Sequence, residues 1–230
     1  MQNRRKGIAT HADGWLVVAA FAPELAFLEA ALPQLPARIR RRLRLATLGV
    51  GLVEAGIGAS RLLAEARPRA IVLVGTAGVY PAWSSRLAVG QAVVINKTKL
   101  LPEILPGENA YLPAVIPRQE RSSPTLSRAL RKATGLAQAD VACPLAITRS
   151  RKAAKAAATL SGCALENLEA FAVARAAARA RIPFAAVLGI ANCVGPDGHR
   201  EWKKHAKLAA ESACRAVLDT LATVPTRQNT

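Results

Sequence analysis

Short apolar runs alternate with stretches of helical apolar spacing along most of this chain. Apolar runs of this length are typical of buried strands, and recurrence at three- and four-residue steps is typical of helices packed on a core. Because strand and helix alternate from the start, the pattern predicts an α/β fold, a three-layer α/β/α arrangement around a central mixed sheet. The predicted strands are 15–21, 43–48, 70–74, 89–95, 142–148 and 184–190; the predicted helices are 54–66, 126–134, 151–160, 166–179 and 202–221, with a first helix begun by Pro23 and carrying Leu25, Leu28, Ala31 and Leu32 on one face.

The alternation stops at a few places. Gly75-Thr76-Ala77-Gly78 predicts a tight loop after a β-branched strand. Residues 97–124 are rich in proline and polar residues, and so long an irregular segment is often functional. Residues 1–12 and 223–230 have the composition of tails, which leaves one domain over 13–222.

Positive charge dominates the composition, with 32 Lys and Arg against 15 Asp and Glu and a net charge of +17. Nucleic-acid binding is one interpretation, and an enzyme with a basic surface is the other. The basic residues are dispersed, and no basic run is interleaved with the aromatic residues on which single-stranded bases stack. We therefore expect that nucleic acid is not the partner.

Four widely spaced cysteines and a polar N-terminal stretch suggest the compartment. Cys143, Cys163, Cys193 and Cys214 form no C-x-x-C pair, so we expect reduced thiols and no metal site. No apolar run reaches the length of a membrane span, and no signal region is evident at the N-terminus. The sequence predicts a soluble cytoplasmic protein with no membrane association, no metal and no organic cofactor.

Two carboxylates and one amide are the candidate functional groups. Glu24 follows the first strand; it is either a first-turn carboxylate favoured by the helix dipole or a general base that activates water. Glu169 lies among apolar neighbours, where a carboxylate needs partners, and a ribose diol offers two donors. Glu166, in contrast, is interpreted as an exposed glutamate at a helix start.

Asn192 follows the predicted strand 184–190 and precedes Val194-Gly195-Pro196. It is either a turn asparagine or a residue that recognises a base. Its amide both accepts and donates, so it can accept from N7–H and donate to the 6-oxo group of a purine. The three histidines lie in the polar terminal regions and are given no catalytic role.

With these residues in order, the chain resembles the purine nucleoside phosphorylase and nucleosidase superfamily, from about Trp15 to Leu221. Within it, three segments look most like futalosine hydrolase, the nucleosidase of a menaquinone route. These segments are Ala77-Gly78-Val79-Tyr80-Pro81, Glu166-Asn167-Leu168-Glu169, and Asn192-x-Val194-Gly195-Pro196 followed by Trp202.

The resemblance implies a role for each candidate. Glu24 lies where nucleosidases keep the carboxylate that activates water, Glu169 where the family's glutamate holds the ribose hydroxyls, and Asn192 at the base-recognising position. It also implies that Thr76, Ala77 and Gly78 line the sugar site, that Leu168 replaces the family's Met beside the ribose glutamate, and that the protein is a homodimer or larger homo-oligomer. The chain departs from the family at Leu52, Leu188 and Ala191, where polar or charged residues are usual, and no acidic residue is evident in the loop after strand 89–95.

Hydrolysis of the N-glycosidic bond of a purine nucleoside, with a futalosine-like 6-oxopurine substrate first, is therefore the expected function. A purine nucleoside phosphorylase, a methylthioadenosine/S-adenosylhomocysteine nucleosidase and a catalytically degenerate nucleoside-binding protein remain as alternatives.

Overall fold

The central mixed sheet of the prediction is present in the computed structural model, which describes residues 14–102 and 112–223. The strands are β1 (Trp15–Ala19), β2 (Leu43–Thr47), β3 (Ala70–Val79), β4 (Ala92–Leu100), β5 (Gln119–Arg121), β6 (Gln138–Cys143), β7 (Leu165–Glu166) and β8 (Phe184–Cys193). The helices are α1 (Ala26–Ala31), α2 (Ala37–Arg40), α3 (Gly51–Ala66), α4 (Pro124–Thr134), α5 (Arg151–Ser161), α6 (Ala170–Ala180) and α7 (Gly198–Thr223).

The strands combine parallel and antiparallel pairings. β1 lies between β2 and β3, parallel to both, and β3 also runs parallel to β8. β8 pairs antiparallel with β4, which pairs in parallel with β6; β7 pairs with β6 and returns antiparallel to β3. The chain of pairings β3–β8–β4–β6–β7–β3 therefore closes on itself, and β3 and β4 each pair with three strands.

Helices cover the sheet on two sides, as the three-layer prediction expects. One core cluster joins the sheet to α3 and α6, and a second joins it to α1, α4 and α7. Alanine is abundant in both clusters, so the helices lie close to the sheet. None of the helices in the described part of the chain is long and apolar enough to cross a lipid bilayer.

The predicted loop at Gly75–Gly78 is wrong, because these residues continue β3 to Val79. β3 pairs with β8 as far as Val79 and Cys193, and a change of register between Ala77 and Gly78 leaves Ala191 unpaired. Glycine signals a turn in the sequence, but here it makes room for side chains that approach the strand. A Cβ atom at Gly75 would lie 3.0 Å from the Glu24 carboxylate.

Other predicted boundaries are shifted. The strand predicted at 142–148 is β6, which ends at Cys143 because Pro144 has no N–H for the ladder. The helix predicted from Glu166 begins only at Ala170, since Glu166 belongs to β7. The segment 97–124 is only partly irregular: β4 runs to Leu100 and β5 lies at Gln119–Arg121, while 103–111 fall outside the described residues. The first predicted helix is a 3₁₀ turn at Ala22–Glu24 followed by α1.

α3 packs closely against the end of β2, and two glycines of this helix should therefore respond differently to substitution by alanine. A Cβ at Gly58 would lie 2.3 Å from the Leu48 carbonyl oxygen, whereas one at Gly56 would lie 3.7 Å from the Ala172 Cβ. Gly58→Ala should lower the free energy of unfolding by about 1–3 kcal/mol, because backbone must move. Gly56→Ala should raise it by about 0.5–1 kcal/mol through backbone entropy. Urea denaturation measures both, and shifts of the same sign would contradict the packing.

Candidate active site

One cavity of about 370 Å³ opens beyond the carboxyl ends of β1, β3 and β8. Ligands in open α/β folds bind at this end of parallel strands. The structure brings together at this cavity all seven residues singled out in the sequence: Glu24, Thr76, Ala77, Gly78, Leu168, Glu169 and Asn192.

Glu24 is buried at the end of the 3₁₀ turn that follows β1. Its Oε1 accepts two hydrogen bonds from Thr76, from the backbone N–H at 2.9 Å and from the hydroxyl at 3.1 Å. Its Oε2 accepts one from the backbone N–H of Ala20 at 3.2 Å. A carboxylate offers about four acceptor positions, so one position on Oε2 remains for a ligand or a water molecule.

The environment of Glu24 shifts the pKa of its carboxyl group toward neutrality. Burial, and after it the negative charge of Glu169, raise the pKa of Glu24 from 4.5 to about 7, although the hydrogen bonds from Thr76 and Ala20 oppose the shift. A general base is most effective when its pKa lies near the working pH. Glu24 can therefore both take and release a proton under ordinary conditions.

Glu169 is the second buried carboxylate of the cavity and lies just before α6. Its Oε1 accepts the backbone N–H of Gly51 at 2.9 Å, at the first residue of α3, where the helix dipole favours a negative charge. Its Oε2 accepts from the side-chain amide of Asn167 at 2.9 Å. Burial raises the pKa of Glu169, and these two donors oppose the shift.

Asn167 organises this corner, although it was not among the predicted site residues. Its Oδ1 accepts the backbone N–H groups of Glu169 and Ala170 at 2.9 and 2.8 Å, where α6 begins. Its Nδ2 donates to Glu169 and to the carbonyl oxygen of Thr76 at 3.0 Å. Asn167 thus fixes Glu169 relative to the strand that carries Thr76.

The interpretation of Glu166 as an exposed helix-start residue is wrong. Its side chain is buried and lines the cavity. It accepts from the Tyr80 hydroxyl at 2.9 Å and from the Thr148 hydroxyl and backbone N–H at 2.6 and 3.0 Å. Burial, and then the charge of Glu166, raise the pKa of Tyr80. Glu166 ties the segment 144–150 to the sheet, because Thr148 belongs to that segment.

Asn192 lies within the end of β8 rather than after it. Its Nδ2 donates to the carbonyl oxygen of Cys193 at 3.0 Å, which leaves its Oδ1 and one amide hydrogen without a protein partner among the described residues. Glycines flank the amide closely, since a Cβ at Gly78 or at Gly198 would lie 3.0 Å from Nδ2. The orientation of the amide is therefore restricted on both sides.

An aromatic wall completes the cavity. The Trp202 ring lies 6.3 Å from Phe21 and is stacked on His199 at 6.0 Å. His199 lines the cavity, although no histidine was predicted at the site. Three cavity residues without a predicted role carried a signal, because they belong to the segments that resemble futalosine hydrolase: Asn167, Val194 and Trp202.

Several nucleosidases of known structure have a fold similar to that of this chain. The 5'-methylthioadenosine/S-adenosylhomocysteine nucleosidase of Neisseria meningitidis, in complex with methylthio-immucillin-A, superimposes with a TM-score of 0.80 at 17% identity, over 92% of this chain and 99% of that chain. Futalosine hydrolase of Helicobacter pylori superimposes with a TM-score of 0.83 at 9% identity, over 93% and 99%. The Helicobacter pylori 5'-methylthioadenosine/S-adenosylhomocysteine nucleosidase with butyl-thio-DADMe-Immucillin-A gives 0.83 at 10%, over 92% and 99%. At these identities the likeness shows the fold alone.

Comparison of the sequence with known proteins and protein families identifies the family of this chain. No curated protein sequence matches the chain. A family model does match, over residues 37–222, which include α3, the whole of β3, the Glu166–Glu169 segment and the end of β8. The match covers most of the chain and agrees with the architecture and with the resemblance in the motifs. This protein belongs to the phosphorylase superfamily.

Proposed function

We propose that this protein hydrolyses the N-glycosidic bond of a purine nucleoside in the cytoplasm. The observation that carries the proposal is Glu24, a buried carboxylate with a pKa of about 7, which lines the same cavity as Glu169 and keeps one acceptor position on Oε2. This combination suits the deprotonation of a water molecule held beside a bound sugar.

The proposed reaction needs three groups. Glu24 takes a proton from water as the water oxygen bonds to C1′ of the sugar. The C1′–N9 bond breaks through an oxocarbenium-like state, and its electron pair leaves with the purine, which interacts with Asn192. The purine takes up one proton, and Glu24 afterwards releases the one it took from water, so that no net proton is gained or lost. Glu169 holds the ribose hydroxyls in place. The products are the free sugar and the free base.

Water is a better nucleophile than phosphate for this cavity. Phosphorolysis requires cations around a phosphate dianion. Among the described residues, the cavity wall contains no Lys or Arg side chain, and Glu24 and Glu169 would repel the dianion. The lining therefore favours a hydrolase over a phosphorylase.

A futalosine-like 6-oxopurine nucleoside, within menaquinone biosynthesis, is the substrate we propose first. The three motif segments support it, and the fold is shared with futalosine hydrolase of Helicobacter pylori. The fold is shared equally with methylthioadenosine/S-adenosylhomocysteine nucleosidases, so a 6-aminopurine thioether nucleoside is the alternative. Phe21, Val50, Ile147 and Leu168 form an apolar part of the wall suited to a large substituent on the sugar in either case.

A degenerate binding protein is the other alternative, because Leu188 and Ala191 replace polar family residues. Both side chains are fully buried, and neither lines the cavity. The carboxylates and the amide of the proposed chemistry are all retained. This distribution favours an active enzyme.

We also propose a homo-oligomer. Val50, Val53 and Ile57 are 58%, 65% and 61% exposed and form an apolar stripe at the beginning of α3. Val50 lines the cavity, as does the exposed Ile147. A second copy seated on this stripe would cover apolar surface at the mouth of the site.

The test of function is a panel of inosine, adenosine, methylthioadenosine and futalosine, with chromatography of the products. In phosphate-free buffer we expect free base and free sugar. The same panel with added phosphate should give no sugar 1-phosphate. Formation of a sugar 1-phosphate would show a phosphorylase, and no turnover of any nucleoside would favour the binding protein.

Glu24→Gln should lower kcat by about 10²–10⁴-fold, because an amide cannot accept the proton of water. Nucleoside binding, measured by calorimetry, should change far less. The matched control is Glu29→Gln, a glutamate exposed on the neighbouring α1, which should leave both unchanged. Near-normal turnover in Glu24→Gln would remove this residue from the mechanism.

The pH dependence of kcat/KM should follow the titration of Glu24. Activity should rise through about pH 7 and level off above it, since the protonated carboxyl cannot accept a proton. Because the pKa of Glu24 is raised in the folded protein, its contribution to the free energy of unfolding is most favourable at low pH and is lost as the pH rises through 7. Protonation of Glu24 on the acid side therefore does not unfold the protein. Full activity after a return from pH 5.5 to pH 8 is the control. A rate independent of pH between 5.5 and 8 would contradict the assignment.

Glu169→Ala should weaken nucleoside binding on the order of 10- to 100-fold, since a buried hydroxyl that loses a charged acceptor is costly. Binding of the free purine should change much less, because the free base has no ribose diol. Calorimetry with a nucleoside and its own base compares the two directly. Equal losses would count against the sugar role.

Asn192 should set the choice of base. Its Oδ1 and its remaining amide hydrogen match N7–H and O6 of a 6-oxopurine, whereas a 6-aminopurine presents two donors. Each poorly made buried hydrogen bond costs on the order of 1–3 kcal/mol, about ten- to a hundredfold in rate. We expect kcat/KM to favour inosine-type over adenosine-type substrates, and Asn192→Asp to shift the ratio toward the 6-amino compound. An unchanged ratio would make Asn192 a structural residue.

A further inference from the structure

The indole of Trp202 is joined to Glu24 through one intermediate hydroxyl. Trp202 Nε1–H donates to Thr76 Oγ1 at 3.1 Å, and Thr76 Oγ1 donates to Glu24 Oε1 at 3.1 Å. An indole N–H can only donate, whereas a hydroxyl has one proton and two acceptor positions. The direction of the chain is therefore fixed: the hydroxyl accepts from Trp202 and directs its own proton to Glu24.

This direction makes the two oxygens of Glu24 unequal. Oε1 receives both the hydroxyl and the backbone N–H of Thr76, so its two acceptor positions are filled. Oε2 receives only the N–H of Ala20. We infer that Trp202 is a positioning residue: it holds the Thr76 hydroxyl as a donor to Oε1, favours the ionised form of Glu24 and leaves Oε2 as the oxygen that takes the proton from water. The inference rests on the proposed role of Glu24 as the base.

The surroundings of Trp202 hold the indole in place. The centroid of its ring lies 6.3 Å from that of Phe21, and the ring is stacked on His199 at 6.0 Å. The preceding residue, Glu201, accepts the backbone N–H of Cys193 at 2.8 Å and so joins the first turn of α7 to the end of β8. The indole N–H therefore reaches Thr76 from a fixed position, across the strand pair β3–β8.

A donor chain of this kind strengthens its last link, since each hydrogen bond polarises the next. The stronger donation by Thr76 stabilises the carboxylate more than the carboxylic acid. Removing the indole N–H should therefore raise the pKa of Glu24. Other titratable groups lie on the elements packed around Glu24 and along the two cavities that it borders. None of them is changed in the variants compared below: Glu29, Glu166, Glu169, His199, Lys207, Glu211 and Cys214.

The test is Trp202→Phe, which keeps an aromatic ring and removes only the donor. The readout is the carboxyl carbon of Glu24, followed by NMR during a pH titration of protein labelled with δ-¹³C glutamate, and identified by its loss in Glu24→Gln. We expect the pKa of Glu24 to rise by about 0.3–0.5 in Trp202→Phe. The matched control is Trp83→Phe, which lies outside the cavity and should leave this pKa unchanged.

A double variant separates the donor chain from a general effect of packing. In a protein that already carries Thr76→Val, adding Trp202→Phe should leave the pKa of Glu24 unchanged, because the hydroxyl that joins the indole to the carboxylate is gone. An equal rise in both backgrounds, or no rise in the single variant, overturns the inference. If Trp202→Phe does not fold, Thr76→Val alone decides: the indole N–H proton of Trp202 should shift upfield on loss of its acceptor, and an unchanged indole resonance overturns the inference.

These measurements need no turnover, so they are independent of the proposed function. A raised pKa in a protein that hydrolyses no nucleoside rejects the function and keeps the donor chain. Hydrolysis with an unmoved pKa rejects the donor chain and keeps the function. When both hold, the acid side of the kcat/KM profile of Trp202→Phe should move upward in pH by the same amount.

Discussion

Glu24 and Glu169, two of the three buried carboxylates that line one mostly apolar cavity, set the central constraint of this structure. A buried carboxylate is stable only with hydrogen-bond donors around it. Here no cation supplies them among the described lining residues; the donors are the backbone N–H groups of Ala20, Thr76 and Gly51, with the side chains of Thr76 and Asn167. The ends of β1 and β3 and the beginning of α3 must therefore meet at one place, and the fold follows from bringing them there.

The pairing of β3 with β8 is the second part of that requirement. It positions Thr76 against Glu24 and, beyond the change of register after Ala77, aligns Gly78 with Asn192. Glycine provides the clearance, because a Cβ at Gly78 would lie 2.7 Å from the Val194 side chain. Glycine also provides clearance between β8 and α7, because a Cβ at Gly189 would overlap the Ala209 carbonyl of α7. Small residues on these strands serve close packing around the site rather than turns.

The charge of the protein and the charge of its cavity have opposite signs. The chain carries a net charge of +17, yet the ionisable lining consists of Glu24, Glu166 and Glu169 with His199 at one wall. Each of the three carboxylates is held by donors from the protein itself. The positive charge therefore describes the surface, and the composition of the whole chain says little about the chemistry of the cavity.

The sequence by itself predicted most of the elements in their order, though not the short β5, β7 and α2, and it predicted three of the polar groups that line the cavity. Apolar periodicity depends on which side of a local element is buried, so β1, α3, β8 and α7 were identified close to their true positions. Glu24, Glu169 and Asn192 stood out because each follows or precedes an apolar element.

Only the tertiary structure decided that Gly75–Gly78 are strand, that Glu166 is buried and that Asn167, Thr148 and Trp202 serve the site. The reason is distance along the chain: Asn167 meets Thr76 across 91 residues, Glu169 meets Gly51 across 118, and Trp202 meets Thr76 across 126. A local pattern of apolar and polar residues contains no information about partners so far apart, whereas the closed ring of strands brings them within hydrogen-bond distance.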